Sequence, residues 1–388
     1  MPLDLLYSET ETQLRDAVRD VLADKAAWRD VLARTETEQT YDVALWRALA
    51  AEVGVAGLLI PESAGGAGAT YREAAVVAEE IGRSVAPVPF LGSAVVATTV
   101  LVSLRADELL SELASGSVTA ALAVPFATVP FATVPVAAGT GRRPDPTVRL
   151  DASEPGDEPG TYRLTGTVAG VADALPADVL LVPGDGVPYG LYAVRAAHGV
   201  VKHPVVSLDQ TRQLCDLTLE RAPARQLAAD EAAVRALRAG LLAGAGLLAS
   251  EQLGIAEQCL QMTLDYVKDR KQFARPVGGF QALKHRLADL WVMVTLARAA
   301  ARAAADGLAS RSGTEAELLV ALAKAACSDT ALKAAQETIQ LHGGIGFTWE
   351  HPAHLFLKRA KADSIGFGTA DAHRAWLASL ADLPPAPG

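Results

Sequence analysis

Between Glu9 and Trp28 the apolar residues Leu14, Val18, Val21 and Leu22 recur in steps of three and four among acids and arginines, the spacing of one helix face laid on a core. Similar patterns over Asp42–Val53 and Tyr71–Ile81 predict a helical first third. Between these two, Pro61-Glu-Ser-Ala-Gly-Gly-Ala-Gly68 clusters a proline and glycines, which enforces a loop. Near Val118 the pattern changes. Helical periodicity fades, Pro, Gly, Val and Thr rise, and Thr161–Thr167 and Asp178–Pro183 read as strands bounded by turn residues. From about Ala228 the helical spacing returns over Ala229–Lys268, Phe280–Arg311, Thr314–Leu341 and Pro352–Lys361, with a short fifth helix over Ala370–Ala381. Long helices with short connections favour antiparallel packing in a bundle. The expected order is a helical domain over 1–117, a β domain over 118–227 and a helical bundle over 228–388: an α+β chain, mainly helical.

Two segments stand apart from this pattern. Val124-Pro-Phe-Ala-Thr-Val-Pro-Phe-Ala-Thr-Val-Pro135 is a tandem duplication whose prolines cannot donate to a central ladder, so it is expected at an edge or in a loop. The span 139–160, rich in Pro, Gly and acids, is expected to be the most mobile part of the chain.

Composition narrows the function classes. The 388 residues are 50% hydrophobic, much of it alanine, with 5% aromatics, which suits extensive helix packing. A net charge of -10 without a basic block argues against nucleic acid as a partner. The three cysteines, Cys215, Cys259 and Cys327, are widely spaced and fit neither a disulfide framework nor a zinc site. The first residues lack a basic and then apolar leader, and the apolar stretches Val95–Leu104 and Ala239–Ala249 are too short to cross a bilayer, so a cytoplasmic location is expected.

The most informative motifs are Asp269-Arg-Lys-Gln-Phe-Ala-Arg-Pro-Val-Gly-Gly-Phe-Gln281 and Gln340-Leu-His-Gly-Gly-Ile-Gly-Phe-Thr-Trp-Glu-His-Pro352. With the Pro61–Gly68 loop and the order helical, β, helical, the chain resembles the acyl-CoA dehydrogenases over nearly its whole length. The resemblance implies that fold: an N-terminal helical domain, a middle β-barrel or sandwich, and a C-terminal four-helix bundle. It also implies FAD bound between the β domain and the bundle, with its phosphate end reaching a neighbouring subunit. Residues matching those given to the neighbour's flavin are Arg270, Phe273, Gln281, Gln340, Gly343 and Gly344. A plainer reading of the same residues is a surface ion pair for Arg270 and a helix end for the glycines.

The half of the flavin site a subunit builds for itself is not visible. Where the family has a Thr-Glu-Pro loop and then a Trp-bearing strand, this chain has the Pro-Phe-Ala-Thr repeat and Gly170-Val-Ala-Asp173. Family enzymes remove an α-proton with a glutamate while hydride leaves for the flavin. At the two positions where members carry it, this chain has Phe367 and Gly244, so no catalytic residue is assigned. Glu251, two turns beyond Gly244, and Asp371 are the substitute carboxylates to weigh. Glu350 fits a capping or ion-pair role, and His285, His342, His351 and His354 fit packing or polar surface positions better than a metal site.

The expectation is therefore the β-type subunit of an α2β2 acyl-CoA dehydrogenase, resembling the actinobacterial complexes that desaturate steroid side-chain thioesters. Its partners would be a homologous catalytic subunit, the acyl-CoA substrate and an electron-transferring flavoprotein. The alternatives are a self-sufficient homotetramer with a relocated base and a flavin-free scaffold.

Overall fold

The computed structural model describes residues 3–131, 133–135, 142–144, 149–156, 158–184 and 189–381. The first third is helical, as its periodicity predicts. Helix α1 (Glu9–Lys25) opens with a capping box, in which the Ser8 hydroxyl accepts from Glu11 N and the Glu11 carboxylate accepts from Ser8 N. The pattern read as one helix to Trp28 breaks at Ala26, and α2 (Trp28–Thr35) is separate. Then come α3 (Val43–Ala48), α4 (Tyr71–Ser84), α5 (Thr98–Leu104) and α6 (Asp107–Ala114). A π-type helix, Phe90–Ala97, runs directly into α5, and seven of its eight residues are buried. It is apolar on every side, so its sequence carries no amphipathic period to read.

The middle of the chain is one curled seven-stranded sheet in the order β1-β6-β7-β9-β5-β4, with β8 also on β9. The strands are β1 (Ala120–Leu122), β4 (Arg149–Pro155), β5 (Thr161–Ala172), β6 (Val179–Gly184), β7 (Gly190–Arg195), β8 (Val200–Val205) and β9 (Leu214–Ala229). The first half of β9 pairs with β8 and the second half with β7. Its bend lies near Arg221, whose φ is +52°. The Pro-Phe-Ala-Thr repeat runs as loop and turn through Phe131, and Thr133–Pro135 (β2) pairs with Arg142–Pro144 (β3) in a separate ribbon. Part of the span 139–160, where mobility was expected, lies outside the described residues.

The C-terminal helices match their periodicity to within two residues: α7 (Asp230–Asp269), α8 (Gln281–Ser310), α9 (Thr314–His342), α10 (Ala353–Asp363) and α11 (Ala370–Leu380). Between α7 and α8 a small ribbon pairs β10 (Lys271–Gln272) with β11 (Arg275–Pro276). Helix α7 is long and apolar enough to cross a membrane, but 67% of its apolar window is buried inside the protein. It crosses α4 so closely that a Cβ on Gly82 would lie 2.0 Å from Glu251 O and one on Gly254 1.9 Å from Glu79 O. Glycine is required at both contacts because backbone meets backbone.

Candidate functional site

The end of the bundle where α7 stops and α8 starts also receives the C-terminus of α9. Tyr266 on α7 stacks on His342 of α9 at 4.3 Å, and its hydroxyl donates to His342 O. Arg270, Phe273, Gln281, Gln340, Gly343 and Gly344 thus converge on one end of the bundle, and all six are exposed. Among the described residues Arg270 makes no ion pair. Gly343 does end α9, at φ +62°, its N–H donating to Gln340 O, as the helix-end reading has it. A Cβ built on Gly343 or Gly344 meets nothing within 4 Å, so a ligand has an open approach to this backbone. The donor set, an unpaired guanidinium, two amides and bare glycine backbone, suits a phosphate.

Phe273 sits at the tip of the β10–β11 ribbon, 86% exposed. It and Ala274 both have positive φ, +51° and +61°, the geometry of a two-residue primed turn that normally takes glycine. A side chain forced left-handed costs about 1–2 kcal/mol. Ala274→Gly is accordingly expected to stabilise the protein by about 1 kcal/mol, read as a higher urea midpoint, with Phe273 left in place.

The other end of the machinery is closed. A Cβ on Gly244 would lie 2.8 Å from both Phe367 Cζ and Val96 Cγ2, so the Phe367 ring occupies the space a side chain at 244 would need. The two positions at which a base was sought therefore face each other, one as a ring and the other as the gap that admits it. Phe367 is buried, has φ +51°, and its backbone is held by Phe367 N donating to Phe126 O at 2.7 Å and by His373 Nε2 on Phe367 O at 2.9 Å. Phe126, from the first copy of the repeat, meets the Phe367 ring edge-on at 5.4 Å and lies under the Arg212 guanidinium. Its N–H donates to Gly170 O. Asp173, at φ +57°, accepts from Gly92 N. What is left among Leu91, Val96, Phe126, Asp173, Arg212 and Phe367 is a cavity of about 20 Å³, room for little more than one water molecule.

Beneath it lies a buried charge network joining the sheet to the bundle. Glu251 on α7 accepts from Arg212 Nη2 at 2.7 and 2.6 Å and from Arg359 Nε on α10 at 2.7 Å. Arg359 also donates to Thr211 Oγ1 at 2.8 Å, and Thr211 donates to Asp209. Asp363 lies 3.6 Å from Arg212 and 3.5 Å from Arg359. Burial alone would raise the Glu251 pKa, but the two guanidiniums outweigh it and hold the carboxylate down at about 2. Asp363 moves the other way, well above the usual carboxylate range, through burial and the neighbouring Glu251 charge. Below the network Lys324 Nζ, fully buried, donates to Ser328 Oγ, Asp363 O and Gly368 O, pinning the loop that carries Phe367.

These contacts account for both substitute carboxylates structurally. Glu251 is buried and its carboxylate is engaged by two arginines, an arrangement that suits an ion-pair role. Asp371 is on the surface, paired with Arg374 one helical turn away.

Residues 8–116 match the model of the acyl-CoA dehydrogenase N-terminal domain and residues 234–380 that of the C-terminal domain. The acyl-CoA dehydrogenase IpdE2 of Mycobacterium tuberculosis is 35% identical over 357 residues, 91% of each chain. This chain belongs to the acyl-CoA dehydrogenase family. Among solved structures it is similar to the ChsE4-ChsE5 complex from Mycobacterium tuberculosis, with a TM-score of 0.83, 27% identity and coverage of 99% and 100% of the two chains. It is also similar to a variant of the Tcur3481-Tcur3483 steroid ACAD, with a TM-score of 0.80, 29% identity and coverage of 96% and 98%. At the position before α11 where the family resemblance implies a base, this chain holds a phenyl ring packed on α7. Sequence reasoning found both vacant positions but not their contact. It missed Arg212 and Arg359 entirely, because neither lies in a motif.

Proposed function

We propose that this chain is the non-catalytic, β-type member of a heteromeric acyl-CoA dehydrogenase that desaturates an acyl-CoA thioester. Its bundle end holds the phosphates of an FAD whose isoalloxazine, base and acyl-CoA pocket belong to a homologous partner subunit. The observation that carries the reading is the packing of Phe367 on Gly244. A chain that has closed its own half-site while keeping an exposed Arg270, without an ion pair among the described residues, beside an open glycine turn is built to serve a flavin it does not bed itself. FAD would supply the hydride acceptor. Arg270 would grip phosphate oxygens with its fork, Gln281 and Gln340 would donate from either side, and Gly343 and Gly344 would let the backbone approach.

The two structural likenesses support a heteromer, since each is a complex of two differently named chains, and one is called a steroid ACAD. On that ground we take a steroid side-chain CoA thioester as the substrate class; an electron-transferring flavoprotein as acceptor is what the family resemblance implies. On the same bundle, α8 leaves Trp291, Val292 and Leu296 exposed at 59%, 49% and 64%, a broad apolar patch that suits a partner's surface. The test is to purify the chain alone and again from its native host through a tag. Expressed alone it is expected to be colourless and inert. With its partner it is expected to be yellow and to bleach with a steroid acyl-CoA. A yellow homomer that bleaches by itself would establish the self-sufficient enzyme instead, and a complex colourless throughout would establish a scaffold.

A further inference from the structure

Past the glycine turn the chain makes a short 3-10 helix, Gly343–Phe347, closed by Thr348, whose N–H and hydroxyl both donate to Ile345 O at 3.0 and 2.8 Å. This puts Trp349 one tight turn beyond Gly344 on the same end of the bundle. Trp349 is 63% exposed, yet its ring is braced: Lys358 Nζ lies 4.5 Å from the ring centroid, and His354 meets it at 66° and 4.5 Å. Both braces come from α10, one helical turn apart. Next to it in the chain, His351 meets His342 at 4.1 Å with the rings tilted by 41°, and His342, held to Thr338 O through Nδ1 at 2.7 Å, stacks on Tyr266 at 4.3 Å, which ties this segment to the end of the bundle. A large flat ring, oriented from within the chain and left uncovered beside a phosphate-type donor set, is the form of a stacking platform.

We propose that Trp349 is the platform for the adenine ring of the dinucleotide whose phosphates Arg270 and the glycine turn hold. This rests on the phosphate-clamp reading and extends it by one ribose. Adenine is flat and neutral at pH 7, so it needs a π-face more than a charged partner, and an aromatic–base stack supplies one. The phosphates fix the depth of the nucleotide, and Trp349 fixes the plane of its base.

The experiment uses the complex isolated through a tag on this chain, stripped of flavin and titrated with FAD, with FMN, and with ADP as a competitor of FAD. In Trp349→Ala the affinities for FAD and ADP fall about tenfold. FMN binding and the size of the complex stay as in the wild type, and Trp349→Phe restores most of the FAD affinity. Unchanged ADP competition in Trp349→Ala, while Arg270→Ala weakens it, overturns the platform alone. If both variants leave FAD and ADP untouched, the clamp falls with it. If Trp349→Ala instead dissociates the complex and weakens FMN and FAD alike, the indole packs on partner protein and the proposal is wrong.

Discussion

Arg270→Ala in the assembled complex is expected to strip FAD while leaving the fold of this chain unchanged. The guanidinium is exposed and lacks an acidic partner among the described residues, so its removal creates no cavity and orphans no buried charge. A charge-assisted hydrogen bond to phosphate contributes about 1.5–3 kcal/mol, which corresponds to a roughly 10- to 150-fold weaker FAD affinity. Arg270→Lys keeps the charge but loses the fork, and an intermediate affinity is expected. The measurement is FAD retention on gel filtration together with an FAD titration of the apo-complex. Full retention in Arg270→Ala would remove the clamp from the account.

Glu251→Gln is expected to be the most destabilising of the conservative substitutions in this chain. It keeps the side-chain shape but leaves Arg212 and Arg359 facing each other, buried, without the carboxylate that both of them bond. Breaking a buried ion pair from one side costs about 3–5 kcal/mol, offset here in part because Asp363, relieved of the Glu251 charge, can ionise beside both arginines. The same carboxylate predicts an acid limb. Its folded pKa, about 2, lies below the unfolded value of 4.5, so its stabilisation is fully present above pH 4.5 and is lost as the pH falls towards 2. Denaturation midpoints from pH 6 to pH 2.5 should show this limb in the wild type, and the part due to Glu251 should vanish in the variant. A variant that keeps its stability but loses turnover would make Glu251 the base after all.

Much of this was readable before any coordinates. The helices after Asp230 carry long, regular periods, so local pattern was enough for them, and the six residues proposed as the clamp lie in two short runs whose exposure at one end of the bundle the fold adds. The all-apolar segment Phe90–Ala97 has no period, and Trp28–Thr35 is too short to separate from α1 by pattern alone. The closed site is a different kind of miss. Phe367, Gly244, Val96 and Phe126 come from four distant parts of the chain, and none looks unusual by itself. The ion network has the same character: Arg212, Glu251, Arg359 and Asp363 are ordinary charged residues until the fold removes water from all four. Sequence could say that no base stood where the family has one; only packing could say that the space had been filled.

The central claim is that this chain completes a partner's flavin site and has none of its own. The most direct test is the ratio of released FAD to each polypeptide in the purified complex. The account predicts one FAD for each pair of unlike chains, and none in this chain when it is prepared alone. One FAD per chain, or a flavin seated beside Gly244 and Phe367, would contradict it.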